Sequence, residues 1–258
     1  MEKEKKVGII IIVIILILFF VLFFFFGGVD SFKNRKDKSI ILVGDKTYWE
    51  YKNKEFTNIK SNISSLYWKD YVVYIDNEKF GTYKLWHDDK WYLYNKNNEA
   101  VSYDGNFLAI SSNYNIKPVD YTVHSVSKDK YINKVLSNYN INTDNFTVKN
   151  KIDIDIDNDN KKDSIYLISN VLPIDKYENY RFSIVFMVKN DIIYTVFSDV
   201  NNESNTRGCK PYIDAFIDVD NDNKLEIIMS CGGLITSNNN DYLFSFKDNK
   251  FTILISNQ

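Results

Sequence analysis

Two short stretches gather acidic residues at a spacing suited to holding a metal ion. DIDNDNKKDSI begins at Asp155, and DVDNDNKLEII begins at Asp218, 63 residues later. Both place carboxylates at loop positions 1, 3, 5 and 9, Asn at 6 and Lys at 7. A hard cation such as calcium takes about six to eight oxygens at roughly 2.3–2.6 Å. Carboxylates at alternate positions of a curled loop point inward together, and a carbonyl at position 7 with the carboxylate at 9 closes the cage. The first set is therefore Asp155, Asp157, Asp159, the carbonyl of Lys161, and Asp163. The second is Asp218, Asp220, Asp222, the carbonyl of Lys224, and Glu226. Four carboxylates this close repel one another unless a cation neutralises them, so two calcium ions are expected. The competing reading is an ion-free Asp/Asn turn between strands. Asp153 extends the first run but has no counterpart, since Phe216 stands at the matching position; it reads as a strand residue alternating with Ile152 and Ile154.

An EF-hand needs a bidentate Glu at loop position 12, where Tyr166 and Met229 stand. Strand patterns flank both loops instead, with Ile165 and Leu167 behind one and Ile227 and Met229 behind the other. A period near 60 residues points to repeated supersecondary units. On these residues, Lys151 to Ser169 and Pro211 to Ser230, the chain resembles the FG-GAP/VCBS class of calcium loops. Their D-x-D-x-D-G-x-x-D hairpins occur in integrin alpha-subunit propellers and in many bacterial surface proteins. The resemblance implies that each loop joins neighbouring strands of a blade-like antiparallel sheet and binds one calcium. The chain departs from that pattern at position 6, where Asn160 and Asn223 replace glycine, and lacks the FG…GAP combination. Two loops fall short of the four blades of a closed propeller, so a partial propeller and a sandwich both stand.

The elements that must carry these loops are mainly β, with antiparallel hairpins. Runs such as KTYWEY, YVVYID, FGTYKLWH and KWYLYN are rich in β-branched and aromatic residues and are broken by Asp/Asn turns. HDDKW reads as a tight turn joining the strands of Trp86 and Trp91. Trp49, Trp68, Trp86 and Trp91 are either core and cross-strand pairs or a platform for stacking a sugar. One short helix is expected around Tyr131, Ile132, Val135, Leu136 and Tyr139, with Ser127 as N-cap. The expected organisation is a cytoplasmic tail 1–6, a membrane helix 7–26, a linker 27–39, a β-hairpin domain 40–117, and a β domain 118–258 with both calcium loops.

Val7 to Phe26 is uncharged and almost wholly apolar, and as a helix of about 30 Å it matches a bilayer's hydrocarbon thickness. Lysines precede it, and Lys33, Arg35, Lys36 and Lys38 follow. It reads as a signal anchor with the C-terminal part outside the cell membrane, a cleaved signal peptide being the alternative. Cys209 and Cys231 flank the second acidic loop, on what would be the two arms of one hairpin. Outside the cytoplasm a disulfide is expected, with two unpaired thiols as the other reading.

The 258 residues are 45% hydrophobic and 26% charged, with a net charge of −2 and only two histidines, which excludes disorder and any mechanism needing several histidines. There is no basic patch to suit nucleic acid. No nucleophile, zinc spacing or phosphate loop is recognisable, so no catalytic residue is assigned and a non-enzymatic role is expected. The expected function is a membrane-anchored, extracytoplasmic calcium-binding module for adhesion or recognition of a protein or carbohydrate ligand. An anchored hydrolase with the loops as scaffold, and an accessory subunit of a membrane complex, are the alternatives.

Overall fold

The computed structural model describes residues 40–44, 48–75, 78–88, 90–102, 107–111, 114, 116–127, 129–142, 146–171, 181–201, 209–233 and 239–257. The membrane segment Val7 to Phe26, the tail before it and the linker after it lie outside the described residues. Among the described residues no helix is long and apolar enough to cross a membrane.

Ile40–Gln258 forms one compact unit of three antiparallel sheets. The first holds β1 (Ile40–Val43), β2 (Tyr48–Lys52), β3 (Glu55–Asn58), β4 (Asp70–Ile75), β5 (Glu78–His87), β6 (Trp91–Tyr94), β7 (Ala100–Ser102) and β8 (Leu108–Ser111). Its order is β3-β2-β1-β8-β4-β5-β6-β7, so β8 returns to lie between β1 and β4. The second contains β9 (Val123–Ser125), β10 (Val148–Ile154), β11 (Asp163–Asn170), β12 (Arg181–Lys189) and β13 (Ile192–Asn201), ordered β13-β12-β11-β10-β9. The third is a simple meander of β14 (Cys209–Ile217), β15 (Glu226–Gly233), β16 (Asn239–Lys247) and β17 (Lys250–Asn257).

Alternation along the strands stacks these sheets. Ile165, Leu167, Val185 and Met187 of the second sheet meet Phe216, Ile227, Met229 and Phe244 of the third in one sandwich core. The residues between them face the other way. Ala215, Ile217, Ile228 and Leu243 pack against Ile40, Leu42, Trp49, Leu108 and Ile110 of the first sheet. That cluster draws on both sides of Pro118, where the texture of the sequence changes and the chain passes from the first sheet toward the second. Each fully buried aliphatic or Phe side chain contributes about 1.5–3 kcal/mol of transfer free energy.

One helix, α1 (Lys130–Asn138), covers the outer face of the second sheet, setting Ile132, Val135 and Leu136 against Tyr166, Ile168, Phe182, Ile184 and Phe186. Its N-cap is Asp129 and not Ser127: the Asp129 carboxylate accepts from the Tyr131 N–H at 2.7 Å and from the Tyr166 hydroxyl at 2.8 Å. One carboxylate thus caps the helix and ties it to β11, two bonds that a serine hydroxyl two residues earlier cannot supply together.

The four tryptophans divide. Trp49 and Trp91 are buried in the core, while Trp68 is 51% exposed. The HDDKW turn joins β5 to β6 with His87 opposite Trp91 and Trp86 opposite Tyr92, so the two tryptophans point to opposite faces. On the outer face Trp68 lies 5.6 Å from Trp86 and 5.1 Å from Tyr94, centroid to centroid. Its φ of 60° is in the left-handed region that a bulky side chain rarely adopts.

Candidate metal centres

Each acidic loop connects two adjacent strands, β10 to β11 and β14 to β15. Ile154 pairs with Asp163 across the mouth of the first, and Ile217 with Glu226 across the second. The ninth-position carboxylate is therefore the first residue of the returning strand.

Four backbone hydrogen bonds recur in both loops. The first-position carboxylate accepts from positions 5 and 6: Asp155 from Asp159 at 3.1 Å and Asn160 at 2.8 Å, Asp218 from Asp222 at 3.1 Å and Asn223 at 3.0 Å. The fifth-position carboxylate accepts from the N–H of Lys161 or Lys224 at 2.9 Å in each case. The ninth accepts from position 2, Asp163 from Ile156 at 3.2 Å and Glu226 from Val219 at 2.9 Å. The loop curls because its own side chains replace the strand ladder as acceptors for these N–H groups. The curl also requires left-handed residues at positions 4 and 6, where Asn158 (58°), Asn160 (65°), Asn221 (63°) and Asn223 (67°) have positive φ. Asparagine accepts that conformation at lower cost than other non-glycine residues, so its presence in place of the pattern's glycine leaves the turn closed.

The carboxylate oxygens converge. Ligand atoms of Asp155, Asp157 and Asp159 lie within 4.8 Å of one another, and so do those of Asp218, Asp220 and Glu226. Two oxygens bound to one calcium at roughly 2.4 Å lie at most about 4.8 Å apart, so both sets fit a shared ion. The remaining members stand outside these triads: Asp163 is buried behind the first, and Asp222 is exposed at the rim of the second. Lys161 is exposed and Lys224 half-buried.

The two loops differ in what neutralises them. Lys189, the last residue of β12, places its Nζ 2.7 Å from Asp157 Oδ1, 2.8 Å from Asp159 Oδ2 and 3.6 Å from Asp163 Oδ1. Burial opposes the lysine's charge, but the bonds to Asp157 and Asp159 outweigh it and raise its pKa. The Lys189 hydrogen bond in turn holds Asp159 below the usual carboxylate range. Asp163 is pushed up by burial, which exceeds the pull of the Ile156 N–H and the more distant ammonium. Among the described residues no lysine, arginine or histidine pairs with Asp218, Asp220, Asp222 or Glu226. Burial, reinforced by the charges of Asp220, Asp222 and Asp218, pushes Glu226 up to about 8. Asp220 is raised by burial and then by Asp222. The same charges reach Tyr51 on β2, whose hydroxyl is raised by burial first and then by Asp220, Glu226, Asp222 and Asp218.

The loops also touch each other, because the Leu225 N–H donates to the Ile156 carbonyl at 2.8 Å. Cys209 and Cys231 are joined in a disulfide with Cα atoms 5.2 Å apart, bracketing the second loop. Sequence reasoning located the carboxylates but missed Lys189, Tyr51 and the Leu225 contact. Lys189 closes the apolar run RFSIVFMVK and reads there as an ordinary solvated strand end; only the register across β11 and β12 brings it to the loop. No protein family, curated protein or solved structure matches this chain.

Proposed function

We propose that this chain is a membrane-anchored, extracytoplasmic β protein in which bound calcium stiffens the loop end of a recognition or adhesion module. The observation that carries this reading is the second loop. Asp218, Asp220 and Glu226 bring three oxygens to one ion's reach, and among the described residues no lysine, arginine or histidine pairs with them. Such a cluster is electrostatically incomplete, and burial of Glu226 at 2% exposure raises the cost of leaving it so. A divalent ion would supply the missing charge and fix β14 to β15. The resemblance to FG-GAP/VCBS loops supports the choice of calcium, as does the all-oxygen donor set. The four-stranded meander β14 to β17 is compatible with a blade-like unit.

The mechanism is structural. Neutralising the loop pins two strand ends and, through Leu225 and Ile156, the neighbouring loop, so that the surface formed there is presented in one conformation. Val7 to Phe26 would hold this domain at the outer membrane face, where calcium is at the millimolar level matching weak extracellular sites of about 10⁻⁴–10⁻³ M. The exposed Trp68 with the half-buried Trp86 and Tyr94 beside it offers a stacking surface suited to a carbohydrate or protein ligand. The test is calcium binding to the whole chain in detergent, with Asp218→Ala alongside. Binding that disappears in Asp218→Ala supports the reading, and unchanged binding in that variant removes the second loop from it.

A further inference from the structure

We propose that Lys189 is the resident cation of the first loop, so that the chain takes one calcium ion, at the second loop, and not two. This rests on the calcium reading of the second loop and changes what is inferred for the first.

The Lys189 side chain is only 12% exposed, though it ends a strand beside solvent. A lysine at such a place ordinarily keeps its ammonium in water and buries only its stem. Here the ammonium turns into the cage and contacts the carboxylates of positions 3, 5 and 9. Those are oxygens that a calcium ion would need. An ammonium 2.7 Å from Asp157 and 2.8 Å from Asp159 and a calcium at roughly 2.4 Å from the same oxygens would overlap and repel. The two cations are therefore alternatives.

The internal repeat shows why only one loop has this device. In the first unit, the register pairing Ser164 with Val188 sets Lys189 beside Asp163. In the second, the register pairing Ile227 with Phe244 sets Ser245 beside Glu226. Asp163 and Glu226 are the same loop position, so Lys189 and Ser245 are structural counterparts. One copy carries a tethered positive charge there and the other a neutral hydroxyl. A tethered ammonium has an effective concentration no free ion matches and is present at every calcium level. The first loop therefore has its cation at every calcium level, and the second gains one only when calcium is available. The Leu225 to Ile156 hydrogen bond then lets the first loop serve as an edge against which the calcium-dependent one orders.

The test is the stoichiometry of calcium binding to the full chain in detergent, by equilibrium dialysis with radioactive calcium, for wild type, Lys189→Met and Ser245→Lys. Methionine keeps the apolar stem and removes the charge. The expected counts are one ion for wild type, two for Lys189→Met and none for Ser245→Lys. Two ions on wild type, or one ion on a folded Lys189→Met, overturns the proposal. If Lys189→Met does not fold, Ser245→Lys decides: a folded variant that still binds its ion overturns the proposal. No ion on wild type sinks the calcium reading itself, a result distinct from these because Asp218→Ala then changes nothing.

Discussion

The N–H of Leu225 donates to the carbonyl of Ile156 at 2.8 Å, joining two acidic loops that lie 63 residues apart in the chain. Ordering one loop therefore limits the opening of the other. Adding calcium should slow amide exchange at Asp222, Asn223 and Lys224 directly, and at Leu225 through the fixed partner on Ile156. Protection rises with the free energy of local opening, so a site half-saturated below millimolar calcium gives at least tenfold slowing at 10 mM. Exchange measured by mass spectrometry checks this. Slowing spread evenly over all strands, with none concentrated between residues 218 and 226, contradicts it.

The left-handed asparagines at position 6 make a second prediction. Asn160 and Asn223 have φ of 65° and 67°. Replacement by Ala places an ordinary side chain in that conformation, at a cost of about 1 kcal/mol, while Gly carries no such strain. Urea denaturation should rank Gly close to wild type and Ala below it at both positions. For Asn223 the ranking extends to calcium affinity, since the loop must curl to bind. Equal stability of Asn223→Ala and Asn223→Gly would falsify the strain argument.

A pH dependence follows from a half-buried acid that plays no part in the loops. Ser230 Oγ lies within hydrogen-bonding distance of Asp214 Oδ2 and, at 2.9 Å, of Asp241 Oδ1. A hydroxyl has one proton to give, so both contacts are hydrogen bonds only when one carboxyl carries a proton. Asp241 Oδ2 also accepts from Asn257 Nδ2 at 3.1 Å, and the proton is assigned to Asp214. Burial, together with the charge of Asp241, raises Asp214 from 3.8 to about 7. The unfolded chain loses this proton near pH 4 and the folded chain holds it to about pH 7. Stability from this group is thus complete at low pH and is lost as pH rises from about 4 to 7, at no more than about 1.4 kcal/mol per pH unit. Denaturation of Asp214→Asn across that range should lack this component. A wild type and variant with the same pH profile would remove it.

The disulfide supplies a fourth prediction. Cys209 and Cys231 are 22 residues apart and enclose the second loop. Closing such a loop stabilises the fold by about 3 kcal/mol, mainly by restricting the unfolded chain. Cys209→Ser with Cys231→Ser should lose that amount and bind calcium more weakly, because strand ends held together by the bridge must now be ordered by the ion. Calcium titration of the double variant checks it, and an affinity equal to wild type contradicts the coupling.

The parts legible in the sequence were those specified locally. The 1, 3, 5, 9 carboxylate spacing, the period-2 strands on both sides and the stripe of Ile132, Val135 and Leu136 are all patterns within about a dozen residues. Their hydrogen bonds close within the same segments. The remainder depended on register between distant strands. Lys189 reaches the first loop only because β12 pairs with β11 so that Val188 opposes Ser164. Tyr51 reaches the second loop's field from another sheet, and β8, the last strand of its sheet in chain order, inserts between β1 and β4. Ser127 and Asp129 are both good caps by type, and the choice between them was made by Tyr166 on β11. Such choices are set by long-range packing, for which a short sequence window holds no signal.

The most direct test of the central claim is the melting temperature of the full chain in detergent with 10 mM calcium and with chelator at pH 7.5. An ion bound only by the folded state with a dissociation constant of about 10⁻⁴–10⁻³ M stabilises by about 1.4–2.7 kcal/mol at that concentration. For a domain of this size that is a rise of about 3–10 °C. The predicted result is a rise in this range for wild type and none for Asp218→Ala. Superimposable wild-type melts with calcium and with chelator would contradict the account.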